Sequence, residues 1–272
     1  MQCETDKATI DYEVHGDGQP ILLLHGWTMD RRVEIFDYEK IMATRPGWRR
    51  IYPDLPGMGR SVAKAGFANQ DDVLDALLAF IDQVLPAGRF ALAGTSLGAY
   101  LARAIAARRR SRIAGLLLRV PCIFAEDARR DLPPFQALVT DPDGRADLDG
   151  LLIQTPAYAQ ALKHKDDAVV QPAIQATAPI ASEIRADPKR YGFSFDLIEA
   201  EKTFDEPTLI IAGRRDTTVG YRDAWSILDS YPRATFVALD RADHGWPMET
   251  PNLLPALVDD WLERIARAER GA

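Results

Sequence analysis

The stretch Phe90-Ala91-Leu92-Ala93-Gly94-Thr95-Ser96-Leu97-Gly98 constrains this chain more than any other. An apolar, strand-like run gives way within five residues to a helical periodicity through Leu97, Leu101 and Ile105. The junction is a Gly-x-Ser-x-Gly pattern. A serine on so sharp a turn has a strained backbone and needs neighbours without bulk, which Gly94 and Gly98 supply. Such a turn lifts the hydroxyl out of the sheet, and the helix N-terminus offers backbone N–H groups to developing negative charge. The plainer reading is a glycine-flanked serine that only caps the helix.

Around this junction strands and helices alternate. Ile21–Leu24, Arg50–Pro53, Phe90–Ala93, Ile113–Leu118, Thr208–Ala212 and Thr235–Leu239 read as strands. Helices follow from Asp71 to Leu85, from Leu97, and over Leu253–Ile265. The alternation predicts an α/β fold, with a mostly parallel sheet flanked by helices. Between about Ile123 and Thr203 prolines recur and strand-like runs vanish. That segment, 123–203, reads as an inserted, mainly helical piece, leaving 1–122 and 204–272 as one core.

A serine hydroxyl is a weak nucleophile until a base removes its proton. The chain has four histidines. His15 lies in a glycine-rich turn and His164 among Lys163, Lys165, Asp166 and Asp167, so both read as surface residues. His244 follows the last predicted strand, where sites of open α/β sheets gather, and is the favoured base. Asp216 follows the Thr208–Ala212 strand in the same way and is the favoured orienting acid. Asp243, adjacent to His244, ranks below it, and Glu126 and Asp127 are fallbacks. The catalytic order is then Ser96, Asp216, His244. The backbone N–H groups of Trp27 and Leu97 are the expected oxyanion hole, with His25 shaping the loop.

Together these features resemble the α/β-hydrolase fold superfamily. The resemblance rests on Ile21-Leu22-Leu23-Leu24-His25-Gly26-Trp27, Asp54-Leu55-Pro56-Gly57-Met58-Gly59-Arg60-Ser61, the Ser96 turn, Gly213-Arg214-Arg215-Asp216 and Asp243-His244-Gly245. It covers roughly residues 7–122 and 204–272 and implies a Ser96–His244–Asp216 triad beneath a helical lid formed by the insertion. Thr95 stands where relatives often carry His, Gln or Asn, and Ala99 replaces a frequent glycine. Both are small enough for the turn to survive.

The resemblance and the residues imply a serine hydrolase acting on a small or medium carboxylic ester, through an acyl-enzyme. A ligand receptor with slow turnover, a cofactor-free perhydrolase and a C–C bond hydrolase are the alternatives. Haloalkane dehalogenases and epoxide hydrolases need a carboxylate where Ser96 stands. Trp27, Phe124, Trp246 and Met248 flank the motifs as candidate pocket lining. No metal-ligand spacing, phosphate-cradling loop or dinucleotide fingerprint appears, so no cofactor is expected.

Composition narrows the partners. The net charge of −7 argues against general nucleic-acid or anionic-membrane binding; the partner that the resemblance implies is a small-molecule acyl substrate. The run Arg108, Arg109, Arg110, Arg112 reads as the positively charged end of a helix. No apolar run reaches the ~18 residues of a membrane span. The opening residues are too charged for a secretory signal, and two distant cysteines suit a reducing compartment. A cytoplasmic location is expected.

Overall fold

A computed structural model describes residues 1–135, 156–245 and 252–271. The described strands are β1 (Gln2–Glu4), β2 (Ala8–His15), β3 (Gln19–Leu24), β4 (Trp48–Pro53), β5 (Val62–Ala63), β6 (Phe90–Thr95), β7 (Ile113–Arg119), β8 (Thr208–Gly213) and β9 (Ala234–Leu239). They form one sheet in the order β1-β2-β4-β3-β6-β7-β8-β9, with β5 also paired to β2. Pairing is parallel from β4 through β9 and antiparallel among β1, β2, β4 and β5. The α/β sheet expected from the alternation is therefore present, extended by an antiparallel edge.

The helices are α1 (Arg31–Met42), α2 (Gln70–Val84), α3 (Leu97–Arg108), α4 (Pro156–Lys165), α5 (Gln171–Gln175), α6 (Pro179–Ala186), α7 (Pro188–Tyr191), α8 (Leu197–Glu201), α9 (Tyr221–Ser226) and α10 (Leu253–Gly271). Side chains alternate across a strand, so each central strand feeds two cores. Leu22 and Leu24 join α2 and α3 on one face, while Ile21 and Leu23 join α1 and α10 on the other. Leu116 and Leu118 against Leu117, and Ile210 against Leu209, repeat the division.

The short helices α4 to α8 lie between β7 and β8 in the chain. Ala181, Ile184, Tyr191 and Leu197 of this segment pack on the α2–α3 side of the core. Val169 and Ala173 pack on Val33 of α1. A buried ion pair joins Arg103 of α3 to Glu201 of α8, and Tyr231 donates its hydroxyl to the same carboxylate. The arginine run does more than face a helix end: Arg110 donates to the Glu201 and Thr203 carbonyls, and Arg112 to those of Leu85 and Gly88. No helix among the described residues is long and apolar enough to cross a membrane.

Candidate active site

At the β6–α3 junction Ser96 holds φ 55°, ψ −112°, in the left-handed region that costs a residue with a Cβ. The surroundings enforce it. Ser96 N–H donates to the Arg119 carbonyl, while the Ser96 carbonyl accepts from Ala99, Tyr100 and Cys122. A Cβ on Gly94 would lie 2.2 Å from the Gly98 carbonyl oxygen, and one on Gly98 would lie 2.1 Å from that of Leu24. Only glycine fits either place, so the motif's spacing follows from packing. The Ser96 side chain makes no helix-capping bond. The capping reading therefore fails.

Its Oγ lies instead 3.0 Å from Nε2 of His244. The other ring nitrogen, Nδ1, lies 2.9 Å from Asp216 Oδ2. Asp216 Oδ1 accepts from the backbone N–H groups of Thr218 (2.8 Å) and Val219 (3.0 Å), so the carboxylate is held from two sides. Burial disfavours its charge, but the facing His244, their hydrogen bond and the two amides outweigh that and hold Asp216 below the usual carboxylate range. An ionised Asp216 accepts only, which places the His244 proton on Nδ1 and leaves Nε2 to accept from the Ser96 hydroxyl.

The other acids are engaged elsewhere. Asp243 accepts from the Gly245 N–H, and burial pushes its carboxyl up. Asp127 pairs with Arg130 and Arg185, and Glu126 with Arg129. His25 is wholly buried; its Nδ1–H donates to the Gly26 carbonyl, and Nε2 accepts from the Leu55 N–H. Burial pushes its imidazole below the ordinary range, and the neutral ring ties the β3 loop to the β4 loop. Asp54 supports that second loop by accepting from the Arg31 and Arg60 amides and pairing with the Arg31 guanidinium. A Cβ on Gly59 would lie 2.4 Å from the Asp54 carboxylate.

This tie sets Gly26 beside the serine: a Cβ there would lie 3.5 Å from that of Ser96. Trp27 follows it, and Leu97, the first residue of α3, has an N–H with no acceptor one turn back. A cavity of about 610 Å³ opens at this point, lined by Ser96, His244, Trp27 and Tyr191 among others. Arg185 of α6 sits 5.8 Å over the Trp27 ring. Phe124 packs against the core beneath Arg129. Trp246 and Met248 lie outside the described residues. Among the described residues no His, Cys, Asp and Glu group is placed to hold a metal ion.

A model of the alpha/beta hydrolase family matches residues 21–254. The chain belongs to the alpha/beta hydrolase family. Haloalkane dehalogenase 2 of Mycobacterium bovis is 24% identical, with 94% of this chain and 92% of that protein covered. The pimeloyl-[acyl-carrier protein] methyl ester esterase of Legionella pneumophila is 21% identical, covering 93% and 99%. An alpha/beta superfamily hydrolase from Oenococcus oeni superposes with a TM-score of 0.80 at 26% identity, covering 98% and 99%.

Sequence reasoning did not pick out Glu34, Asp37 or Arg119, and it set Lys165 in a solvated stretch, whereas its ion pair with Asp37 buries it; all four are buried charged residues close to the same cavity. A local signal exists only for the first two, acids three residues apart on one helix face.

Proposed function

We propose that this hydrolase cleaves a carboxylic ester of small or medium size with Ser96 as nucleophile, His244 as general base and acid, and Asp216 as orienting acid. One observation carries the reading: the continuous relay from Asp216 through His244 to a serine that caps nothing. Ser96 Oγ bonds to the ester carbonyl carbon as His244 Nε2 takes the hydroxyl proton. The carbonyl oxygen, now an oxyanion, is stabilised by the Trp27 and Leu97 N–H groups. The C–O bond to the alcohol breaks as His244 returns the proton to the leaving oxygen. Water, deprotonated by His244, then attacks the acyl carbon and releases the acid and free Ser96.

Ser96 also separates this chain from a haloalkane dehalogenase, despite the similarity to one. Displacing halide from an alkyl carbon calls for a carboxylate that forms an alkyl ester, and a serine would form an ether that water does not open. The alternatives are a perhydrolase, a C–C bond hydrolase and a binding protein with slow turnover, with the substrate a small molecule and the location cytoplasmic in each case. A series of 4-nitrophenyl esters of two to eight acyl carbons, run on wild type and Ser96→Ala, tests the reading. Hydrolysis should fall by about 10⁴-fold or more in the variant. Equal rates would refute it.

A further inference from the structure

Asp127 takes no part in the relay from Asp216 to Ser96, yet two arginines that reach the active site meet on it. It lies in a short turn, Asp127–Arg129, that follows β7. Arg185 of α6 donates from Nη2 to both its carboxylate oxygens, at 2.8 and 3.0 Å. Arg130 Nη1 lies 2.7 Å from Oδ1. Both arginines line the cavity that holds Ser96 and His244.

Each arginine then touches a different half of the machinery. The Arg185 guanidinium stands 4.8 Å over the Tyr191 ring and 5.8 Å over the ring of Trp27, the residue assigned to the oxyanion hole. The Arg130 side chain is only 4% exposed and holds backbone carbonyls on both sides of the cavity. Its Nε donates to Phe124, its Nη2 to Ala125 and its Nη1 to Thr218 at 3.0 Å. The N–H of that same Thr218 donates to Asp216 Oδ1. Direct contacts therefore run from Trp27 through Arg185, Asp127 and Arg130 to the loop that holds Asp216.

The cap supplies one member of this path. An amide bond from Ala178 to the Gly57 carbonyl and the burial of Ala181 and Ile184 seat helix α6 on the core. The Asp127 carboxylate then fixes where the Arg185 side chain lies. Without it, that long side chain would regain rotamer freedom and leave the two rings. We propose that Asp127 is a positioning residue, tying the cap helix to both the oxyanion loop and the Asp216 loop. The inference rests on the serine-hydrolase reading, because only there do Trp27 and Asp216 have these tasks. The carboxylate is 61% exposed and the ring contact is modest, so its loss should slow turnover by about three- to tenfold.

Asp127→Ala, Arg185→Met and the double variant, assayed on 4-nitrophenyl butyrate, test the proposal together with inhibition by propyl trifluoromethyl ketone. Ser96 Oγ adds to the ketone carbon, its proton passes to His244, and the former carbonyl oxygen becomes the bound oxyanion. Its Ki therefore reports how well the site is assembled, whatever fraction of the sample is folded. In each single variant kcat should fall by about three- to tenfold at nearly constant KM, with Ki rising in step. The double variant should match Asp127→Ala, since both changes break one path, and Arg185→Lys should keep most of the wild-type kcat. A merely structural Asp127 would lower stability and leave Ki alone. An unchanged Ki in Asp127→Ala, or effects that multiply in the double variant, would overturn the positioning role and leave Ser96-dependent hydrolysis standing. If the wild type cleaves no ester, fluorine NMR reads the ketone adduct directly: weaker binding to Asp127→Ala supports the role, and equal binding overturns it. A folded wild type with neither turnover nor adduct would refute the hydrolase reading and this one with it.

Discussion

Replacing Asp216 by Asn alters one atom and, by the geometry here, the position of one proton. Asp216 Oδ1 accepts two backbone N–H groups, from Thr218 and Val219, while Oδ2 faces His244 Nδ1. An asparagine has one acceptor and one donor end. Turning its NH₂ toward the two amides would strand both in a buried place, at about 1–3 kcal/mol each. The carbonyl therefore stays with the amides, and the NH₂ points at His244. Nδ1 must then be the acceptor, the ring proton moves to Nε2, and the imidazole meets the Ser96 hydroxyl with a donor instead of a base. In Ser-His-Asp sites this wrong tautomer lowers kcat by about 10⁴-fold, equal to about 5.4 kcal/mol of transition-state stabilisation. KM should change little, because Asp216 holds His244 from behind and is not part of the cavity wall. Steady-state 4-nitrophenyl ester hydrolysis at neutral pH, with thermal unfolding to confirm the fold, reads the outcome. A folded Asp216→Asn enzyme within tenfold of wild-type kcat would refute the reasoning.

Three further outcomes are expected. Gly98→Ala places a Cβ 2.1 Å from the Leu24 carbonyl oxygen; separating α3 from β3 should cost about 3 kcal/mol or more, seen as a lowered urea midpoint, and an unchanged midpoint would contradict the packing account. His25→Ala strands the buried Leu55 N–H and Gly26 carbonyl; it should cost about 2–5 kcal/mol by denaturant titration and lower turnover of neutral esters through the displaced Trp27 loop. Glu34 has a folded-state pKa raised by burial, so the wild type loses stability as pH rises from the unfolded value through the folded one. Glu34→Gln lacks that loss, and its stability relative to wild type should rise between pH 4 and pH 8; a flat difference would show that Glu34 stays ionised.

The parts of the fold visible in the sequence are those whose neighbours are local. Strands β3, β6, β7 and β8 are buried on both faces and read as apolar runs, and Gly94 and Gly98 announce a close helix–strand approach. Strand β2 carries its own signal, with Ala8, Ile10, Tyr12 and Val14 alternating with Thr9, Asp11, Glu13 and His15. Helix α1 is harder. Its inward positions include Arg31, Glu34 and Asp37, which break the apolar stripe. Their partners Asp11, Asp54, Arg119 and Lys165 come from distant strands, loops and helices, and no local pattern reports such pairings. The positions of Ser96, Asp216 and His244 are legible because each follows the carboxyl end of a parallel strand, β6, β8 and β9 in turn. The cavity's charged end was not, because it exists only once α1, β7 and α4 meet.

A Ser96 nucleophile activated by His244 should be trapped by an electrophile that reacts only with such a serine. Incubation with a fluorophosphonate, followed by peptide mass mapping, tests it most directly. One adduct per chain is expected on the peptide containing Ser96, absent from Ser96→Ala and formed at least a hundredfold more slowly in His244→Ala. A folded wild-type protein that takes up no label at Ser96, or labels equally fast without His244, would contradict it.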